Sequence, residues 1–531
     1  MLDGAITELV FCGQQPHKGV LVLRKVSLIL ILFLSILTSA NAAPLTHEAD
    51  LSRSAVSGIR PEALALISDI ISSDVARGFP GAQLAVIRNG QLIYSNAWGK
   101  TDSTNPHSPS VTRDTLYDLA SVTKVLAADY AVQKLVSDGK LDVDAKISDI
   151  LGDAYLTETI TAPYSPVSKK TMRKWKSSVT VRDVMCHRAG YPPEIHYYDK
   201  NYDLSSFRHN VKSVNPLYSG ITPDAETRAK TLTEILRTPL QYQPRTKIVY
   251  SDIDYMLICF VAEKVSGMRL DVYLAENFWR PLGLTHMTFN PLDNGFSPGE
   301  IAATETDGNT TTRGYEVRFP GLRDSVIVGE VHDEKAYHSM AVVSGHAGLF
   351  ANAEDTVRLL SLMLTGEYGG QKFFPREVVD MFTSPQDESG IWGIGWWRRG
   401  SKRTYYFVTQ SSPETFGHQG FNGTLVMIDP VKKLVIAYFT NKLNTPAVMP
   451  LSRNKTFAGS WYTASTLGFV PEILYTGIDT SEDISGKLAG ISESLYAESL
   501  KQIPKGAGKN HPSRRNAESK NEVLERCNSR P

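Results

Sequence analysis

Thr424-Leu425-Val426-Met427-Ile428, then Asp429-Pro430, then Leu434-Val435-Ile436-Ala437-Tyr438-Phe439 is where the architecture can first be read. Two apolar, β-rich runs separated by a turn pair predict adjacent strands. Just before them, Gly417-His418-Gln419-Gly420-Phe421-Asn422-Gly423 reads as a glycine-rich strand and turn, whose missing side chains let another backbone or a substrate come close. Far earlier in the chain, Gln83 to Val86 and Leu92 to Ala97 flank Asn89-Gly90, a residue pair suited to a two-residue hairpin turn. The C-terminal strands, from about 393 to 440, are expected to complete one antiparallel sheet with this hairpin. A helix over Pro61 to Ser73 and a largely helical region between the hairpin and the last strands make the expected class α+β: an antiparallel sheet flanked by helices, plus a mainly helical subdomain.

The helical region holds the residues that can do chemistry. Ser121 lies in Leu119-Ala120-Ser121-Val122-Thr123-Lys124, at the head of a helical pattern through Val125, Leu126, Val132, Leu135 and Val136 that runs to Gly139. Residues i and i+3 share a helix face, so Lys124 can reach the Ser121 hydroxyl and take its proton. Two other Ser-x-x-Lys runs have different contexts: Ser137 to Lys140 straddles a helix end at Gly139, and Ser452 to Lys455 lies in a polar loop. A serine nucleophile also needs an acid for its leaving group. Tyr250, in Tyr250-Ser251-Asp252, offers a phenol just ahead of the helical pattern Tyr255, Leu257, Val261. A buried core ring is its other reading, and Tyr94 and Tyr197-Tyr198 are alternative sources of a hydroxyl. The third element is His418-Gln419-Gly420, on a strand whose amides could line an oxyanion hole.

Together these residues resemble the serine hydrolases of the penicillin-binding-protein and class C β-lactamase type, which carry Ser-x-x-Lys, a middle Tyr-x-Asn and often a late Lys-Thr-Gly. The flanking blocks Asp183-Val184-Met185-Cys186-His187-Arg188-Ala189-Gly190, Arg280-Pro281-Leu282-Gly283-Leu284, Val331-His332-Asp333-Glu334 and Ser344-Gly345-His346-Ala347-Gly348 extend the resemblance over roughly residues 60–475. It is strongest to the membrane-associated D-alanyl-D-alanine carboxypeptidases of the penicillin-binding protein 4B subgroup. Carried onto this chain, it implies Ser121 as nucleophile, Lys124 as base or proton shuttle, and Tyr250 as handler of the serine and leaving-group protons. The backbone amides of Ser121 and Phe421 would form the oxyanion hole, with Asp252, His418 and Gly420 against the substrate. The implied substrate is a peptidoglycan peptide or another small acyl compound, and β-lactams become covalent ligands. Two departures bear on it: Asp252 stands where relatives have Asn, and His418 where many have Lys. A carboxylate beside Lys124 favours the ammonium, and a histidine near its ordinary pKa of about 6.5 is partly charged at neutral pH. Esterases and D-aminopeptidases share the nucleophile, and a low-turnover β-lactam or cell-wall binding protein is a further alternative.

Composition supports a folded enzyme. Among 531 residues, 56 basic and 56 acidic side chains cancel, so nothing points to nucleic acid. Four scattered cysteines make no disulfide framework, and Cys186 and Cys259 are expected as buried thiols. The adjacent His332, Asp333 and Glu334 lack metal-ligand spacing, so neither metal nor cofactor is expected. His187 and His346 read as structural. Trp396-Trp397-Arg398-Arg399 reads as cover for a strand edge, with pocket lining as its alternative. Arg24-Lys25 ahead of the apolar run Val26 to Leu37, with Ala40-Asn41-Ala42 following, makes residues 1–42 an extension plus signal peptide or membrane anchor. The expected location is periplasmic, either free after cleavage of the signal or anchored in the inner membrane by the uncleaved segment. Residues 1–19 sit ahead of that signal, so translation is expected to start further downstream. From 481 to 531 the Ser-, Lys-, Arg- and Glu-rich composition predicts a mobile tail, with at most a short helix near Leu488 to Leu500.

Overall fold

Asn89 and Gly90 both take positive φ, 51° and 76°, the geometry that the predicted hairpin turn requires. They join β1 (Gly81–Arg88) to β2 (Gln91–Gly99), which pair antiparallel. The computed structural model describes residues 58–529, apart from 313–314, 317–318, 401–406 and 449–456. Four C-terminal strands join the hairpin: β3 (Trp397–Arg398), β4 (Phe416–Gly420), β5 (Thr424–Asp429) and β6 (Leu434–Thr440). The spatial order is β3-β4-β5-β6-β1-β2, antiparallel throughout, with Leu84 opposite Tyr438 and Val426 opposite Ala437. The first and last parts of the chain therefore close one sheet.

Both faces of this sheet are covered, which is why its central strands read as nearly unbroken apolar runs. Ala85, Ile87, Val426, Ile428, Val435 and Ala437 point towards the helical region, where the helix Ala353–Thr365 lies against β1 and β6. Alternate residues Leu84, Val86, Leu425, Met427, Ile436 and Tyr438 point the other way, onto α1 (Pro61–Ala76) through Ile67, Ile70 and Ile71. The helical region supplies α2 (Tyr130–Ser137) and α3 (Asp252–Ser266), the latter ending at Gly267 with φ 73°. The continuous helix expected from residue 122 is instead a 3₁₀ turn over Ala120–Val122, a π-helical turn over Lys124–Asp129, and then α2.

The tail differs from its expectation. Residues Ser485–Lys501 and Pro512–Ser529 form two helices, α4 and α5, which pair with each other and lie against α1. Their sparse apolar residues Leu488 and Val523 face the sheet-side core. Lys520 of α5 forms a fully buried ion pair with Asp74 of α1 at 2.9 Å, although not aligned as a hydrogen bond, and Asp74 also accepts from Ser519 Oγ at 2.6 Å. Composition averages over helix faces, so it concealed the one face that packs. Cys186 and Cys259 are buried free thiols as expected, and Cys527 is a half-buried one. The predicted signal or anchor segment, Cys12 and the Ser452 to Lys455 run lie outside the described residues. Among the described residues, no helix is long and apolar enough to cross a membrane.

Candidate active site

Ser121 follows a strained turn. Ala120 has φ 47°, a left-handed conformation costly for a residue with a side chain, and its amide is held by Asp118 Oδ1 at 2.8 Å. The other oxygen of Asp118 accepts from the His332 amide at 2.7 Å, so this carboxyl ties the turn to a distant loop. The end of β4 presses against the same turn. Thr424 Oγ1 donates to Leu119 O at 2.9 Å and Asn422 Nδ2 to Asp118 O at 3.3 Å. A Cβ added to Gly420 would overlap Thr424 Oγ1 and the Leu119 carbonyl, so glycine is what permits the approach.

Lys124 is fully buried one turn after Ser121. Its ammonium donates to Ser121 Oγ at 3.1 Å, to Asp252 Oδ1 at 2.8 Å and to the His346 carbonyl at 3.1 Å, which uses all three of its protons. Burial pulls this lysine's pKa down, but Asp252 and Tyr250 outweigh that and hold it above the ordinary value. Asp252 opens α3, where a carboxylate suits the helix N-terminus. Burial raises its pKa, and Lys124 and Lys335 more than offset this, leaving it below the usual range. The pair is therefore ionic.

Tyr250 leans over this pair, with Lys124 Nζ 4.8 Å from its ring centre. Burial raises the phenol's pKa, the Lys124 charge offsets this only in part, and Asp252 adds to it, so the phenol stays above its ordinary value. Its ring packs on His187 at 4.5 Å between centroids, His418 at 6.1 Å and Trp397 at 6.3 Å. His187 Nδ1 meets Asp254 Oδ2 at 2.9 Å and accepts from the Ser251 amide at 3.2 Å. Burial drives His187 far down and Asp254 far up, so the proton rests on the carboxyl and the pair is neutral. His187 is thus a buried, hydrogen-bonded ring under the tyrosine.

Ser121, Tyr250, Asp252, His418, Gly420 and Phe421 line one cavity of about 640 Å³. Phe421, 45% exposed, stacks on His332 at 5.7 Å. His418 corrects the expectation of partial charge. Burial, with the nearby Lys124 charge, pushes its pKa down to about 3, so it is neutral at pH 7. Its Nδ1 meets the Gln419 carbonyl at 2.8 Å. Trp397 lies on an edge strand, as expected of a tryptophan beside arginines, and lines the cavity as well.

The alternative residues lie elsewhere or serve the fold. Ser137 Oγ donates to the Gln133 carbonyl at 2.8 Å, and Lys140 reaches Asp138 at 3.9 Å. Tyr94 is buried on the far side of the sheet, and Tyr197 is buried against Thr238 at 2.8 Å. Tyr198 does line the cavity.

Sequence reasoning missed a second charged layer. Lys335 lies 3.0 Å from Asp333, 3.2 Å from Glu194 and 3.4 Å from Asp252, and Asp333 also meets His346 Nε2 at 2.9 Å. Ligand atoms of Asp252, Asp333 and His346 fall within 4.8 Å of one another, as a metal site would need, but here the two lysine ammoniums lie against the carboxylates. Their spacing along the chain carries no signal, because 194, 252 and 335 come from separate segments brought together by the fold. The arrangement can hold an ammonium beside a serine hydroxyl and a phenol, in a cleft closed on one side by a strand.

A fold of this kind, with a serine, lysine and tyrosine meeting at the edge of the sheet, belongs to the β-lactamase family of serine hydrolases, whose model matches residues 67–456. The chain is 39% identical over 428 residues to an Escherichia coli K12 protein named "Putative D-alanyl-D-alanine carboxypeptidase", covering 79% of this chain and 92% of that one. It is 38% identical over 421 residues to the Bacillus subtilis "N-acetylmuramyl-L-alanine amidase", covering 78% and 88%. Among solved structures, the fold resembles EstCE1, a hydrolase with promiscuous acyltransferase activity (TM-score 0.54, 19% identity, 79% of this chain and 100% of that one). It also resembles a penicillin-binding protein homologue from Caulobacter crescentus (TM-score 0.52, 18% identity, 78% and 99%).

Proposed function

We propose that this enzyme is an exported serine D-alanyl-D-alanine carboxypeptidase that trims peptidoglycan stem peptides through an acyl-enzyme on Ser121, and that β-lactams acylate the same hydroxyl. The observation that carries the reading is the 3.1 Å hydrogen bond from a buried, carboxylate-held Lys124 to Ser121 Oγ, with Tyr250 beside both. With Lys124 kept as an ammonium, the base is Tyr250. As Ser121 attacks the peptide carbonyl, the phenol takes the serine proton while handing its own to the leaving nitrogen, so it need not ionise beforehand. Lys124 stabilises the charge that develops on Ser121 and Tyr250 through its fixed positive end. The amides of Ser121 and Phe421 receive the oxyanion, and water then releases the acyl group by the reverse relay.

A second reading has its own support. His418 is neutral, and Lys124 and Lys335 are already matched by carboxylates, which leaves the Tyr250 side of the cleft without an unpaired cation for a terminal carboxylate among the described residues. An amide whose leaving amine has no free carboxylate beside the scissile bond, as where a muramyl amide releases an alanine already joined to the next residue, or an ester, suits that side. The test is D-alanine release from diacetyl-Lys-D-Ala-D-Ala by protein lacking residues 1–42, beside Ser121→Ala, a muramyl dipeptide and a p-nitrophenyl ester. D-alanine release lost in S121A supports the carboxypeptidase. Cleavage confined to the muramyl amide or the ester moves the assignment, and turnover surviving in S121A removes the nucleophile.

A further inference from the structure

Three lysines border the Ser121 cleft, and two of them are matched by carboxylates. The third, Lys442, follows β6 and lines the same cavity as Phe421, Leu443, Phe457 and Ser460. Its stem lies over the turn after β4, since a Cβ on Gly423 would sit 3.0 Å from Lys442 Cδ and 3.1 Å from Cγ. Among the described residues its ammonium has neither an ion pair nor a hydrogen bond. Burial, offset by no carboxylate, pulls its pKa down to about 8. A half-buried cation without a counter-charge is held at a cost that an incoming anion would relieve.

Its position also tells which half of a substrate it meets. The leaving group must lie towards Tyr250, from which its proton comes, and that side is walled by Trp397 and His418. Lys442 sits instead over Gly423, in the turn past the end of β4. We propose that Lys442 binds a carboxylate on the acyl half of the substrate, the part that stays on Ser121, and so selects acidic acyl groups. This rests on the Ser121 acyl-enzyme reading, but not on the identity of the leaving group.

Two esters of equal acyl length test it: mono-p-nitrophenyl glutarate, which ends in a carboxylate, and p-nitrophenyl pentanoate, which does not. The wild-type enzyme is expected to prefer the glutarate in kcat/KM, and Lys442→Met to lower that preference at least about tenfold, mainly through KM, as loss of a charged hydrogen bond would. Lys442→Arg, which keeps the charge, should retain most of it. A glutarate-to-pentanoate ratio unaltered in K442M, including the case where both esters decline together, overturns the proposal, as does wild-type indifference between them or absence of ester turnover. A glutarate preference without D-alanine release would leave Lys442 its role and sink the carboxypeptidase assignment. D-alanine release without any ester preference would do the opposite.

Discussion

Gly420→Ala is the sharpest probe of the cleft. The added methyl would fall inside the contact distance of both Thr424 Oγ1 and the Leu119 carbonyl. Neither obstacle is free to move, because Thr424 Oγ1 donates to that same carbonyl at 2.9 Å and Leu119 leads directly into the strained Ala120 turn. The end of β4 must therefore retreat from the Ser121 turn by about 1 Å, a misplacement that costs on the order of 100-fold in rate. In the proposed mechanism the Phe421 amide is an oxyanion donor and would move with it, which sets the expected range at about 10²–10³-fold in kcat. The assay is kcat/KM on whichever peptide, amide or ester the wild type turns over, alongside a thermal melt that establishes folding. Gly486→Ala in α4, where an added Cβ meets nothing within 4 Å, is the matched control and should leave turnover as it was. A folded G420A enzyme that keeps more than about a tenth of wild-type kcat/KM would refute the argument that glycine is there for close approach.

Three further outcomes follow from the charges. Asp252→Asn leaves the Lys124 ammonium buried without its carboxylate and should destabilise by about 3 kcal/mol at pH 7. Because the folded Asp252 pKa lies below its unfolded value of 3.8, that stabilisation is complete above 3.8 and lost as pH falls through the folded value, so urea titrations should show the gap closing there, and a constant gap down to pH 3 would contradict it. His418 responds in the same direction, over a higher pH range. Its folded pKa of about 3 lies below the ordinary 6.5, so the unfolded chain takes up the proton first and stability declines between those values; His418→Gln should flatten this slope, and equal slopes would show the ring is not held neutral. Lys520→Met, which strands Asp74 beneath α5, should cost about 3–5 kcal/mol by chemical denaturation, while a change within about 0.5 kcal/mol would mean that the last helix adds little to the fold.

Much of this was legible from residues alone because the signals are local. The unbroken apolar runs of β5 and β6, the Asn89-Gly90 turn and the i, i+3 spacing of Ser121 and Lys124 each depend on a few neighbouring residues, so backbone geometry carries them without knowledge of the whole. Ser121, Lys124, Tyr250, Asp252, His418, Gly420 and Phe421 could be named for the same reason, since each lies in a short recognisable block. What the sequence could not hold was the electrostatics of their meeting. Whether Lys124 is an ammonium, whether His418 is charged, and that Lys335 faces Asp252 while Lys442 has no carboxylate all depend on desolvation and on distances between segments far apart in the chain. The C-terminal helices teach the same lesson, for a composition rich in charge hid Leu488, Val523 and Lys520 on the one face that packs. Local pattern picked out residues that meet in one cleft; only tertiary burial decided their charges, because a pKa is a property of surroundings that no stretch of sequence contains.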